Sequence, residues 1–479
     1  MGASVRSQRR SAALSRRSWL GGMIHSSPAR FALLVFTALI LLWTALLSLP
    51  FSSKSGEITP LADALFTAVS AICVTGLSTL DMSMHWSLFG EIVILAGLQI
   101  GGIGVLTLAS ILGLTVTRRL GLRQRLLAAG DTNPMRMGRD VSESQAVGLG
   151  EIGGLLGAVA LSVVIIEAVL TLLITPRLMV AGYDFLHALW NAFYLAASAF
   201  TNTGFVPLGG GLEPFKTDVY LLSVLAIGVF LGAIGFPVIF ALYRYVIGSG
   251  WRSHKRLGLH AKLTLTTTIV FVVFGWLAIS ALEWNNQATL GNQGFWQTMF
   301  SSVYMSIMTR SGGLGIIDPV DMNGSTLLVM DMLMFVGGGS ASTAGGIKVT
   351  TIAVLFLAAY AEARGYKDVQ AFGRRIPNEV LRVSVSIMIW GATIVLAATV
   401  TIMHMTGESL DIVLFEVISA FGTCGLSSGL SEELPDAGKY VLIATMWAGR
   451  VGTVTLAAAV AATNRSRLFR FPEERPIVG

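Results

Sequence analysis

Apolar residues in this chain come in runs too long for a soluble core. Residues 31–49, 219–246 and 440–462 are apolar with few breaks, and each reaches the roughly 20 residues a helix needs to cross a bilayer. The short alternating segments of a membrane β-barrel are missing. Between the long runs lie shorter ones. The first opens at Thr59-Pro60-Leu61-Ala62-Asp63, which reads as a helix start with Thr59 as N-cap, Pro60 at the first helical position and an acid in the first turn. It reaches only to about Ile72, too short to span, and a long apolar stretch over about 88–116 follows. The pattern is a long helix, a half-length helix, a break and a second long helix.

The break itself recurs. Its first copy is Ser70-Ala71-Ile72-Cys73-Val74-Thr75-Gly76-Leu77-Ser78. The second holds Asn202-Thr203-Gly204-Phe205, the third Ser311-Gly312-Gly313-Leu314 and the fourth Thr423-Cys424-Gly425-Leu426. The central glycines stand 128, 109 and 112 residues apart (204−76, 313−204, 425−313), and an internal repeat outranks local propensity in deciding a fold. Each copy follows a half-length segment: 184–204 in the second unit, about 293–308 in the third and about 408–421 in the fourth. Flanking spans are expected over about 150–175, 219–246, 263–282, 383–403 and 440–462. The expectation is an all-α polytopic membrane protein with eight spanning helices and four half-helices. It divides into units over 31–117, 146–247, 262–364 and 379–464, with tails at 1–30 and 465–479.

Composition agrees. The 479 residues are 53% hydrophobic and 13% charged, where a soluble domain carries roughly 25% charge. The net charge of +6 is not a nucleic-acid signal, because 26 of the 33 Lys and Arg fall in five blocks, 1–30, 118–139, 244–262, 364–382 and 465–475. These lie between units or at the ends, which places both termini and three loops in the cytoplasm by the positive-inside bias. The Arg16-Arg17 pair faintly matches a twin-arginine export signal, but the apolar run begins more than ten residues later and no small-residue cleavage site follows. The two cysteines, Cys73 and Cys424, sit inside the repeated motif and form no metal or disulfide pattern. Arg310, Lys348 and Arg450 remain as cations inside apolar segments.

Irregular backbone at membrane depth survives only where protein buries it or where it lines a watery cavity. Four glycine-bearing loops at one depth therefore suggest one shared cavity. Backbone carbonyls there can replace the water of a cation, and glycine keeps side chains clear. The C-terminal ends of the half-helices add partial negative charge. The third unit is longer than its spans need, and the excess contains Gly337, Gly338, Gly339, Ser340, Ser342, Thr343, Gly345, Gly346 and Lys348. Five glycines oppose a continuous helix. Ile347 before Lys348 and Val349 after it break the phosphate-loop pattern. Arg450 is too deep to reach an interface, and an intramembrane charge faces the interior. The competing reading pairs it with Glu91 or Glu167. Glu91, Glu167, Asp331 and Glu416 are expected near helix ends or in pairs between units, with no transport role, and His187 and His404 at the interfaces.

These motifs resemble the filter of the TrkH/KtrB superfamily of potassium transporters, whose single subunit holds four unlike copies of a potassium-channel pore unit. The resemblance covers about 31–463. It implies four pore units around a pseudo-fourfold axis, with Val74–Leu77, Asn202–Phe205, Ser311–Leu314 and Thr423–Leu426 as selectivity filter. Some plant members with serine at the first filter glycine select sodium; glycine at all four positions here implies potassium. Gly312 departs from the more usual Ala. The resemblance also makes Arg310 a filter scaffold, 337–348 a gating loop below the filter, and Arg450 a barrier in the pore that holds that loop. The polar tail in place of an extra helix pair resembles KtrB. A homodimer on a cytosolic ring of nucleotide-binding, KtrA-type regulators follows from the resemblance, as does a place in the cell membrane.

The function expected is passive, channel-like potassium uptake, with K⁺ as substrate, no bound cofactor, and sodium stimulation left open. A carrier coupled to Na⁺ or H⁺ is the first alternative, disfavoured because such carriers use inverted repeats and midplane acids. A sodium-selective member of the superfamily is another. An enzyme is rejected: there is no Walker A motif and no large cytoplasmic domain.

Overall fold

The computed structural model describes residues 28–119, 149–246 and 257–452. Nearly all of the two basic tails and most of the 118–139 and 244–262 blocks lie outside the described residues, as does the last expected span beyond Gly452.

The described residues are mostly helical. The first segment is α1 (Pro28–Leu47), α2 (Leu61–Cys73) and α3 (Leu88–Arg119). The second is α4 (Leu149–Val180), α5 (Phe185–Phe200), α6 (Val219–Ile234) and α7 (Phe236–Val246). The third is α8 (Leu259–Glu283), α9 (Phe295–Met308), α10 (Gly324–Phe335) and α11 (Val349–Ala363). A two-residue hairpin, β1 (Gln370–Ala371) with β2 (Arg374–Arg375), leads to the fourth: α12 (Asn378–Thr406), α13 (Leu410–Gly422), α14 (Leu430–Glu433) and α15 (Asp436–Trp447). Among the described residues, Val159–Val180, Leu259–Glu283 and Asn378–Thr406 are long and apolar enough to cross a bilayer, and a bent pair adds a fourth candidate.

That bent pair corrects one expectation. Residues 219–246 are not one continuous helix: α6 and α7 meet at Gly235 with a bend of 101°. Gly235 has φ +85°, and a Cβ there would lie 2.9 Å from the carbonyl oxygens of Ser340 and Ala341. Phe236 N–H donates to the Ala341 carbonyl at 3.3 Å. The break thus spends its freed backbone groups on the 337–348 loop. The start of α2 is a second correction. Pro60, not Thr59, is the N-cap, and no side chain caps the helix. The Thr59 hydroxyl pairs with His85 Nε2 at 3.0 Å instead.

The segments pack in chain order, α3 on α4 and α5, α6 on α8 and α9, α10 on α13, and α11 on α12; α15 then returns to α2. Polar contacts close several seams. Trp190 Nε1 donates to Glu91 at 2.8 Å and Gln99 Nε2 to Glu167 at 2.6 Å, joining segments one and two. Lys439 pairs with Asp63 at 2.6 Å, joining four to one, with both side chains about 10% exposed. The half-helices lie at the centre. Residues from Leu195 to Phe200 of α5 and from Phe415 to Gly422 of α13 are all buried. Long helices reach them through glycine, as membrane helices do at close contacts. A Cβ at Gly101, Gly232 or Gly449 would collide with the carbonyl oxygen of Ile72, Phe200 or Phe421. Each of those three residues stands four before a motif glycine.

Candidate functional site

The four half-helices end in loops of one conformation. Val74, Asn202, Ser311 and Thr423, each two residues before the motif glycine, have φ of +57°, +60°, +68° and +47°. They are four of the six non-glycine residues with positive φ among the described residues. For the β-branched Val74 and Thr423 this is a true outlier, and such strain persists only where the surroundings over-determine it. The motif glycines follow at φ +91°, +92°, +67° and +91°.

Three loops share their hydrogen bonds as well. The N–H groups of Gly76, Gly204 and Gly425 donate to the hydroxyls of Ser70, Ser198 and Ser419 at 3.0, 3.1 and 3.2 Å. The preceding N–H groups of Thr75, Thr203 and Cys424 donate to the carbonyls of the same serines at 2.7, 2.9 and 2.8 Å. The third loop differs because Ile307 stands where this serine would be. There Gly312 N–H bonds the Met308 carbonyl at 2.8 Å, and Tyr304 Oη holds the Leu314 carbonyl at 2.8 Å.

The loops meet one another. A Cβ on Gly76 would overlap the Thr203 carbonyl oxygen. One on Gly204 would lie 2.7 Å from Gly313 Cα, and one on Gly313 would lie 2.6 Å from the Cys424 carbonyl oxygen. One on Gly425 would lie 2.5 Å from the Thr75 oxygen and 2.9 Å from that of Thr203. The carbonyls of Thr75, Thr203 and Cys424 therefore converge on glycines of other segments. Leu77, Phe205, Leu314 and Leu426, which follow the glycines, are buried. Ser311 Oγ donates across the seam to the Thr423 carbonyl at 2.5 Å.

The 337–348 loop touches three of these four loops. It is held by backbone pairing at its ends, Val336 beside Ile347, and by Gly339 N–H on the Ala233 carbonyl at 2.8 Å. Thr343 Oγ1 donates to Asn202 Oδ1 at 2.6 Å, Gly345 N–H to Ser311 Oγ at 3.3 Å, and a Cβ on Gly345 would collide with Thr423 Oγ1. Gly338, Ser342 and Gly346 are buried within it, and Ser340 pairs outward with Thr350 at 3.0 Å. Lys348 turns back to the Ala344 carbonyl at 2.5 Å. Both buried arginines bind this loop. Arg310 Nη2 donates to the Gly337 carbonyl at 2.8 Å, with its guanidinium 5.5 Å from the Phe271 ring, and Arg450 Nη1 donates to the Thr343 carbonyl. Arg310 is thus hydrogen-bonded to this loop.

Arg450 pairs with neither acid proposed for it, since Glu91 and Glu167 are taken by Trp190 and Gln99. It lies on a π-helical turn, Ala448–Gly452, a distortion common at functional positions. Glu416 accepts from Ser427 Oγ, Ser428 N–H and Ser431 Oγ, so it braces the loop after Gly425 within its own segment. Sequence reasoning missed the role of Ser70, Ser198 and Ser419, although a serine six residues before glycine is legible in three copies. It also missed the Gly235 break, signalled by Gly235 and Pro237.

Long apolar helices around four buried helix-end loops are the build of a membrane-embedded protein. The chain belongs to the TrkH family of cation transport proteins, whose model matches residues 25–469. It is 33% identical over 463 residues to the potassium/sodium uptake protein NtpJ of Enterococcus hirae, covering 95% of this chain and 97% of that one. It is 33% identical over 455 residues to the Ktr system potassium uptake protein D of Bacillus subtilis, again covering 95% and 97%. The crystal structure of the potassium transporter TrkH from Vibrio parahaemolyticus shares the fold, with a TM-score of 0.64 at 17% identity over 88% of this chain and 83% of that one.

Proposed function

We propose that this chain is the ion-translocating subunit of a potassium uptake system. In this reading the four segments are pore units about a pseudo-fourfold axis, and K⁺ crosses passively between their loops. One observation carries it: the carbonyls of Thr75, Thr203 and Cys424 converge on Gly76, Gly204, Gly313 and Gly425 at the buried ends of four half-helices. Carbonyl oxygens replace the water of a cation, and the helix ends favour positive charge. The relatives named for potassium uptake support K⁺ as the ion. The name of the Enterococcus hirae relative keeps sodium as a second ion or activator. A negative interior drives entry at about 2.3 kcal/mol per charge per 100 mV.

The 337–348 loop is the gate of this pathway, held shut by Arg450 and by the Asn202–Thr343 bond. Regulation comes from outside the chain. The Ktr relatives are named as components of a system, which supports a separate regulatory subunit; in this reading a homodimer rests on nucleotide-binding regulators at the cytoplasmic face of the cell membrane. Rubidium tracer uptake into liposomes, with and without an imposed potential and with and without Na⁺, tests the reading. Accumulation should follow the potential and fall to simple equilibration without it. Uphill accumulation at zero potential would make the protein a coupled carrier instead.

A further inference from the structure

Where the third and fourth segments join, α11 and α12 run side by side and leave a groove of about 420 Å³. Leu355, Leu381 and Val385 line its deep part, and Glu362, Tyr366 and Lys367 its mouth. Val385 lies seven residues beyond the first residue of α12, Asn378, so the groove descends about 10 Å at 1.5 Å per residue. That suits the upper half of an acyl chain. The basic 364–382 loop beside the mouth, read by the positive-inside bias, puts the mouth at the level of the lipid headgroups. Tyr360 and Tyr366 are 54% and 60% exposed there, the pattern of an interfacial aromatic belt. Below them the outer faces of the same two helices present Phe356 and Ile389 to the hydrocarbon, 71% and 63% exposed.

Glu362 and Lys367 are the charged residues that line the groove, so the charge of the segment around them selects the headgroup. Residues 362–382 hold five bases (Arg364, Lys367, Arg374, Arg375 and Arg382) against three acids (Glu362, Asp368 and Glu379), an excess of two. Asp368 is already taken by Arg375 at 2.9 Å. Lys367 has no acid partner among the described residues and lines the groove itself. An unpaired base over an apolar slot on the basic side of a membrane protein matches an anionic phospholipid. We propose that this groove binds one such lipid, with an acyl chain between Leu355 and Val385 and its phosphate at Lys367. The inference does not depend on which ion the protein carries. Because α11 begins directly after the 337–348 loop, the bound lipid braces the far half of the helix on which that loop ends.

Native mass spectrometry of the full-length protein in detergent, with dioleoyl phosphatidylglycerol or dioleoyl phosphatidylcholine added, tests the site. The wild type should retain the phosphatidylglycerol in preference. Lys367→Ala should weaken its retention about fivefold, equivalent to about 1 kcal/mol for one rim charge, and Lys367→Arg should restore it. Ala358→Trp, which fills the groove, should abolish it. Lys367→Ala carries the test if the tryptophan variant fails to fold. Equal retention of both lipids, no retained lipid, or retention indifferent to Lys367→Ala would overturn the proposal.

Discussion

Arg450→Ala is the perturbation that most directly loosens the proposed gate. In the seated loop Arg450 Nη1 donates to the Thr343 carbonyl, while Nε and Nη2 find no partner among the described residues. A hydrogen bond from a charged donor stabilises by about 1.5–3 kcal/mol. Thr343 keeps another tie, its hydroxyl proton directed to Asn202 Oδ1 at 2.6 Å with the Phe200 carbonyl at 3.1 Å as a second acceptor, so the loop is weakened rather than released. If the arginine bond exists only in the closed state, losing about 2 kcal/mol shifts the closed-to-open ratio about 30-fold, and a loop open about 1% of the time becomes open about a quarter of it. Removing the buried charge also removes an electrostatic barrier on the pathway, which acts in the same direction. The assay is rubidium tracer uptake into liposomes at a fixed potential, normalised to folded protein. Arg450→Ala should raise initial uptake by tenfold or more, and Arg450→Lys, which keeps the charge but shortens the donor, should fall between. Uptake equal to wild type in well-folded Arg450→Ala protein would refute the reasoning.

Other outcomes follow from single contacts. Gly425→Ala should lower the preference for K⁺ over Na⁺ without unfolding the protein, because its Cβ would lie 2.5 Å from the Thr75 carbonyl oxygen; uptake of each ion and thermal melting in detergent check this together. Asp63→Asn should destabilise by about 1.5–3 kcal/mol, the worth of a hydrogen bond between charged groups, since Lys439 lies 2.6 Å away in a part-buried pair and keeps Asp436 at 3.8 Å. A double-mutant cycle with Lys439→Met should recover much of that loss. Ser198→Ala should lower the selectivity of uptake more than its rate, because the lost hydroxyl holds the Gly204 N–H at 3.1 Å and with it the direction of the Thr203 carbonyl.

The repeated motifs are legible in sequence because they are local. A half-length apolar run followed by glycine states its own geometry, and the half-helices end at Cys73, Phe200, Met308 and Gly422, within one residue of what the runs imply in three units and four residues short of it in the second. Charge at membrane depth is equally legible, which is why Arg450 and Lys348 stand out from their apolar neighbours in the sequence alone. What sequence does not reveal is set by contacts across the ring. The Asn202–Thr343 bond joins residues 141 apart, and either side chain alone reads as an ordinary polar loop residue. The break at Gly235 is similar: glycine and proline in an apolar run are common in membrane helices, and only the 337–348 loop filling the gap makes a 101° bend necessary. Arg310 shows the same limit. Its position beside a filter motif suggests a filter role, yet its long side chain reaches the Gly337 carbonyl at 2.8 Å.

The claim at the centre is that a cation passes between the four glycines and that their bare backbone sets its identity. Gly76 bears on this most directly, since any side chain there would overlap the Thr203 carbonyl oxygen. The measurement is the bi-ionic reversal potential for K⁺ against Na⁺ in planar bilayers, comparing wild type with Gly76→Ser. The account predicts a potassium-selective wild type and a variant shifted toward sodium. A wild type without preference for K⁺, or a Gly76→Ser variant with an unchanged reversal potential, would contradict it.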